Sequence, residues 1–281
     1  MKKTINWKIN LNDMLKEKIH FVNKGNINFK MISYIFNNNL KIYNCNIIDI
    51  TKIAYLLSMA CNLVFYAAQK KKTFLIISQQ KNLKEIKPIV IKTNSYLTKW
   101  FLINNKNKKL RNKIKNKLRL KRKQKIINNK YQTFKLNYIK LISERIRCHY
   151  INKNIKAGLL TNWLTTKITL KNLLISNKKS TFIEKKKKQV INFSNNLEGI
   201  KYMTKIPDVV ILIDPQNDII IRECFTLKIA TICLINIIKN NEINIDLADI
   251  VIPINTLKLS SIIYILNKLY YAILTGFYNK K

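Results

Sequence analysis

Asp214 stands where an acidic side chain could do chemistry. It ends the run Lys205-Ile206-Pro207-Asp208-Val209-Val210-Ile211-Leu212-Ile213-Asp214-Pro215. The apolar centre of that run is β-branched and too short for a buried helix, so it reads as a strand covered on both faces. Open α/β sheets place ligands at the carboxyl ends of such strands, where an acid can accept a phosphoryl group or hold a metal. A phospho-acceptor also needs an acidic cluster after the first strand and a lysine after the last. Here the first short strand offers Asp49, and Ile252 is followed by Pro253. The competing role for Asp214 and Asp218 is to satisfy free amides at a turn or helix start.

The other reactive side chains are scattered. His20 and His149 are the only histidines, and neither has the Asp, Ser or Cys neighbours of a triad. Cys45, Cys61, Cys148, Cys224 and Cys233 lack the Cys-x-x-Cys spacing of a zinc site, which predicts reduced, buried thiols. With only Gly25, Gly158, Gly199 and Gly276 there is neither a P-loop nor a dinucleotide fingerprint. The sequence therefore predicts no enzyme, no cofactor, no metal and no small-molecule substrate. The turn Ala157-Gly158-Leu159-Leu160-Thr161-Asn162-Trp163 supports two readings. Asn162 and Trp163 can dock on a sugar or phosphate, or the turn caps a helix and Trp163 plugs the core.

Around these residues the pattern is that of a parallel sheet. Residues 13–36 read as a short helix followed by loop, and Asn46 to Ile50 as a brief strand. Thr51 then caps a helix to about Lys70, with Ala54, Leu57, Ala60, Cys61, Val64 and Ala68 near one face. Further strands are predicted at Thr73 to Ser78, Tyr150 to Asn152, Val209 to Ile213, Thr231 to Ile235 and Ile250 to Ile252. Helices are predicted near Leu83 to Ile91, over Thr161 to Asn177 and Val190 to Leu197, from Ile219 towards Ala230, and at the close. In the closing helix Ile262, Ile265, Leu266, Leu269 and Ile273 form one stripe. The pair separated by Ser180 predicts a helical hairpin, and the whole a five-stranded doubly wound α/β domain. Two apolar stretches resemble membrane spans. Ala54 to Ala68 is short and holds Asn62, and Leu257 to Tyr278 is broken by Asn267 and Lys268, so both read as core helices.

Charge decides the class of partner. The 281 residues carry 53 Lys and Arg against 14 Asp and Glu, a formal charge of +39. Repulsion on that scale opposes compaction unless a polyanion supplies counter-charge. Nucleic acid fits better than an anionic membrane surface, and cations spread along the whole chain suit burial in RNA. They concentrate between Lys99 and Arg147, where Leu110, Ile114 and Leu118 recur every four residues. That segment reads equally as a basic helix or as a solvated arm that orders on phosphates. Lys185 to Lys188 is a second charge run. Over-use of Lys, Asn and Ile with scarce Gly, Pro and Arg points to an AT-rich genome. An amino terminus without a secretory core or transit-peptide character predicts that, if the chain works in an organelle, it is made there.

Several ordered motifs resemble the bacterial-type small-subunit ribosomal protein S2 family. Ile19-His20-Phe21 is similar to its Val-His-Phe, and Asn28-Phe29-Lys30-Met31 with Tyr34-Ile35-Phe36 to its Asn-Pro-Lys-Met and Tyr-Ile-Phe. Ile47 to Lys52 resembles the family's first strand and helix start. Gly158-Leu159-Leu160-Thr161-Asn162-Trp163 is similar to its Gly-x-Leu-Thr-Asn-Trp. Leu197 to Met203 with Pro207-Asp208, Glu223 before Lys228-Ile229-Ala230, and Val251-Ile252-Pro253 with Asn255 complete the series. The likeness covers about 13–98 and 148–276. Departures are Val22-Asn23 for Gly-His, a loop one residue short after Asp214, Asn236-Ile237-Ile238 for Asp-Thr-Asn, a shortened 164–200 hairpin, and a basic block at 99–147 without counterpart.

The resemblance implies a flavodoxin-like, three-layer domain with a protruding hairpin, held by small-subunit rRNA beside neighbouring small-subunit ribosomal proteins, without a membrane span. The organisation expected is an arm and first half-domain at 1–98, a basic insertion at 99–147, a strand and turn at 148–163, a hairpin at 164–204 and a second half at 205–281. Predicted RNA contacts are Lys24 and Lys30 near the amino terminus, and Lys153, Lys156, Asn162 and Trp163 around the turn. The insertion adds Lys106, Lys108, Lys109, Arg111, Lys113 and Lys115, then Lys117, Arg119, Lys121, Arg122 and Lys123. An organellar ribosome is expected, plastid (apicoplast-like) ahead of mitochondrion. The competing class is an RNA-processing or phospho-accepting α/β enzyme.

Overall fold

Two uninterrupted apolar runs form the centre of a parallel sheet. Strands β3 (Phe74–Ser78) and β5 (Val209–Ile213) are buried at every position, so neither alternates polar with apolar. A computed structural model describes residues 6–23, 27–36, 45–78, 131–152, 155, 157–176, 197–238 and 243–279. The chain divides into two compact units, 1–79 with 138–281, and 80–137. Of the second unit only residues 131–137 are described, as helix. The sheet belongs to the first unit.

Strands β4 (His149–Ile151), β6 (Ala230–Ile235) and β7 (Ile250–Pro253) complete a five-stranded sheet of order β4-β3-β5-β6-β7. Every neighbouring pair is parallel, with Leu75 opposite His149, Phe74 opposite Val209, Val209 opposite Ala230 and Ile232 opposite Ile250. The order runs outward both ways from β3 and β5, so right-handed crossovers place helices on both faces. This is the doubly wound α/β fold the apolar runs predict.

Asn46 to Ile50 is not part of that sheet. Strand β2 (Cys45–Ile47) pairs antiparallel with β1 (Phe21–Asn23) in a separate ribbon, Phe21 opposite Ile47. The stretch read as helix and loop is helix α1 (Leu11–Lys16), β1, and a 3-10 segment at Phe29–Tyr34. Three-residue strands are too short to show an alternation, so pattern alone cannot assign their pairing.

Helix α2 (Ile50–Gln69) starts one residue earlier than its predicted cap. Asp49 is the cap, and its carboxylate accepts the Thr51 amide at 3.0 Å and the Thr51 hydroxyl at 2.6 Å. By length and composition α2 is apolar enough to cross a membrane. Here Ile53, Leu57, Ala60, Cys61, Val64, Phe65 and Ala68 are buried. They pack against helix α6 (Leu259–Tyr278), whose whole predicted stripe is buried, and against β7. Asn62, the polar break in α2, accepts the Trp7 indole N–H at 2.7 Å. The two helices meet tightly at Gly276, where a Cβ would lie 2.6 Å from both Ala68 Cβ and the Phe65 carbonyl oxygen.

Helix α3, residues 131–145, precedes β4. Within the first unit, Tyr138 donates to Asn267 of α6 at 2.6 Å, and Ile139 is fully buried. Helix α4 (Trp163–Ser176) is the first arm of the predicted hairpin, whereas the second arm and the Lys185 to Lys188 run lie outside the described residues. The helix predicted near Leu83 to Ile91 lies outside them too. Helix α5 (Ile219–Thr226) ends short of Ala230, which opens β6 instead.

Two further devices recur in the fold, the first at the amino edge of the sheet. Asp208, at the start of β5, accepts the Thr73 amide and hydroxyl, both at 2.9 Å, just before β3. Asp249 repeats this beside β7, accepting the Thr231 amide at 2.7 Å and its hydroxyl at 3.2 Å. Each pair clasps two neighbouring strands at their amino ends.

The second device ends helices. Lys18, Lys71, Arg147 and Lys228 follow α1, α2, α3 and α5 with φ of 52, 54, 56 and 54°. Each donates its amide three residues back, to Leu15, Ala68, Glu144 and Phe225, and the next residue's amide reaches one carbonyl deeper. These are Schellman terminations with a basic residue where glycine is usual. The left-handed backbone costs about 1 kcal/mol, partly offset by a cation at the helix's negative end.

Candidate nucleic-acid interface

The turn before α4 is built on one carboxylate. Gly158 adopts φ 87°, a conformation glycine takes freely, and this lets three amides converge. The N–H groups of Gly158, Leu160 and Thr161 donate to the Glu223 carboxylate at 2.6, 2.7 and 3.3 Å. Glu223 lies in α5, buried among Ile220, Ile221 and Cys224. In the sequence this residue stands out only as part of a family motif. The available signal is a single acid on the apolar side of a short helix, 62 to 65 residues from its donors.

That anchoring sorts the two predicted contacts of the turn. Trp163 is 8% exposed and belongs to the core. Asn162 is exposed, with Thr161 and Thr165 beside it, while its backbone carbonyl accepts the Thr165 hydroxyl at 2.7 Å. Leu164 and Ile168 of α4 are also exposed. Lys30 is held within the protein. Its ammonium pairs with Asp246 and donates to Asn244 at 3.1 Å. The other predicted contacts, Lys24, the cations from Lys106 to Lys123, Lys153 and Lys156, lie outside the described residues.

Asp214 occupies a turn. With φ 53° and 6% exposure it accepts the Thr256 hydroxyl at 3.1 Å, and its own amide donates to Leu234 O at 2.9 Å. Asp49, the other acid a phospho-acceptor would enlist, caps α2. Asp218 sits at the first position before α5 but does not cap it; its carboxylate pairs with Arg222 at 2.7 Å instead. Among the described residues no three His, Cys, Asp or Glu side chains are placed to hold a metal ion.

The thiols are equally committed. Cys61, Cys148, Cys224 and Cys233 are free and buried. Burial pushes Cys61, Cys148 and Cys224 up to about 12, and Cys233 higher still, so none is a ready nucleophile.

The acids share one pattern. Asp49, Asp208, Glu223 and Asp249 bind backbone amides, and Asp214 takes a buried hydroxyl. Burial alone would raise Asp208, but bonds from Lys72, Thr73 and Lys205 outweigh it and hold the carboxyl well below its usual range. The chain has 53 Lys and Arg against 14 Asp and Glu, so its net charge is strongly positive whatever the acids bind. Such an excess of positive charge suits a polyanion.

Comparison with known families agrees. The family model described as Ribosomal protein S2 matches residues 105–276, more than half of the chain. The match opens inside the cationic segment and takes in the Gly158 turn, Glu223 and four of the five sheet strands, while the amino-terminal motifs lie outside it. The chain belongs to the ribosomal protein S2 family, and its role is that of a small-subunit ribosomal protein.

Proposed function

We propose that this chain is a structural, non-enzymatic component of an organellar small ribosomal subunit, binding rRNA backbone phosphates and abutting neighbouring ribosomal proteins. The observation that carries this is the family match taken with a net charge of +39, which already counts every acid and is left to be neutralised from outside. Lysine and arginine do this without reading bases, as a scaffold on folded RNA requires. Lys24, Lys153, Lys156, Asn162 and the block from Lys106 to Lys123 are the contacts proposed. Trp163 acts by fixing the turn that presents Asn162, and Lys30 contributes only where RNA displaces Asp246. A plastid is favoured over a mitochondrion on residue bias alone.

Deleting residues 106–125 tests the reading. The variant should keep the far-ultraviolet circular dichroism of the full chain, bind a small-subunit rRNA transcript more weakly, and show a shallower dependence of log K on log salt. An unchanged slope would remove the block from the interface. A full chain that binds the transcript without salt dependence would rule out RNA as the counter-charge.

A further inference from the structure

We propose that the amino edge of the sheet, from β4 to β6, is a second track for RNA backbone phosphates, opposite the edge where this fold ordinarily holds ligands. The proposal rests on the RNA-binding role above and names a surface within it.

Arg147 precedes β4, Lys71 precedes β3 and Lys228 precedes β6. All three are exposed, and among the described residues none has a carboxylate within ion-pair distance. Because the strands are parallel, these residues share one edge across β4-β3-β5-β6, three strand spacings or roughly 14 Å. Lys70 stands beside Lys71, while Lys72 and Lys205 screen Asp208 at the start of β5. Glu144, the acid nearest Arg147 in sequence, receives the Tyr150 hydroxyl at 3.1 Å. Glu198 is taken by Lys140 at 2.9 Å. Asp249, at the start of β7, ends the row.

The surface is concave as well as charged. A cleft of about 570 Å³ opens at this edge, with Lys70, Lys72 and Lys228 around an apolar floor that includes Leu63, Ile206 and Leu227. Low-dielectric walls concentrate a positive potential. The carboxyl edge differs: its described loops carry Asp214 and Asp218, and Lys258 there is engaged by the Glu17 carbonyl at 3.0 Å. Cations at helix ends also offset helix dipoles, and Lys18 serves α1 in that way near the carboxyl edge, where Asn255 donates to the carbonyl of Ile19. Lys18 is therefore the internal control.

The left-handed backbone makes the test clean, because glycine is the residue those positions favour. The full chain and the triple variant Lys71→Gly/Arg147→Gly/Lys228→Gly are titrated with a fluorescein-labelled RNA duplex of about 20 base pairs between about 0.05 and 0.4 M KCl, a range over which phosphate contacts show their salt dependence. The triple variant should melt no lower than the parent. It should bind on the order of a hundredfold more weakly at about 0.1 M salt, with a log–log slope shallower by about two to three. Lys18→Gly should leave the slope unchanged. As a readout needing no variant, duplex should shield Lys71 and Lys228, but not Lys18, from acylation. A triple variant with the parental slope, or equal acylation with and without RNA, overturns the track while leaving the RNA role standing. A parent that shows no salt-dependent binding overturns both.

Discussion

Glu223 carries a charge into an apolar helix, and the three amides it collects explain why that is tolerated. A carboxylate accepting several N–H bonds is among the stronger buried arrangements, and removing the acceptor strands donors the turn cannot redirect. Glu223→Ala should therefore destabilise the fold by about 2–3 kcal/mol, read as a lower urea midpoint, and should free the Gly158 and Leu160 amides for hydrogen exchange. A midpoint within error of the parent would show that water replaces the carboxylate. The histidines give a pH test. Burial holds His20 below its ordinary 6.5, with the Lys258 charge adding to the effect. Burial also lowers His149, against a backbone bond from Gly199 that pulls upward. The unfolded chain takes these protons as pH falls through about 6.5, and the fold resists. Their contribution is complete above that pH and is lost as pH falls towards the folded values. The urea midpoint should drop between about pH 7 and 5, and more shallowly in His20→Gln/His149→Gln. At this scale the sequence was half legible. A type and a spacing identified Asn162 and Trp163 as a pair, yet which one faces outward depends on Glu223, distant in sequence. Asp218 looked like a cap because caps are local, but Arg222 one turn along competes for it.

Strands and helices were legible in proportion to their length and burial. β3, β5 and β6 are continuous apolar runs, and α2 and α6 repeat their apolar residues over 20 positions, so local pattern and tertiary environment agree. The β1–β2 ribbon pairs three residues with three, below the length at which a period exists. α3 falls within the segment that reads equally as basic helix or solvated arm, and Ile139, Ile142 and Ile146 have helical spacing. The α2–α6 contact makes an element-scale prediction. Gly276→Ala places a methyl against the Phe65 carbonyl, which cannot move without moving α2. It should cost about 1–3 kcal/mol, and a melting temperature equal to the parent's would mean the helices separate freely. The strand clasps make another. Thr231→Val removes the hydroxyl partnering Asp249 in an isosteric side chain and should cost about 1–2 kcal/mol. Asp249→Ala in the Thr231→Val background should then cost less than in the parent, as expected of one coupled pair; additive losses would deny the clasp.

For the whole molecule, charge and fold carry separate information. The doubly wound sheet is shared by many chemistries and does not identify one. The charge of +39 favours a polyanionic partner without locating the contacts. The two meet at the acids. Each described carboxylate that would mark a catalytic centre in an enzyme of this fold is instead held by an amide, a hydroxyl or a cation of the chain itself. A polyanionic partner was therefore legible in composition as an expectation. The basic track at the amino edge was not, because it depends on which helix ends the topology brings together. The most direct test is sedimentation of the tagged full chain from its native source through a sucrose gradient at about 0.5 M salt, where weak surface attraction is screened. The chain should travel with the small ribosomal subunit, near one copy per particle, and be released by ribonuclease. A chain found at the top of the gradient with the subunits intact would contradict a structural role on the ribosome.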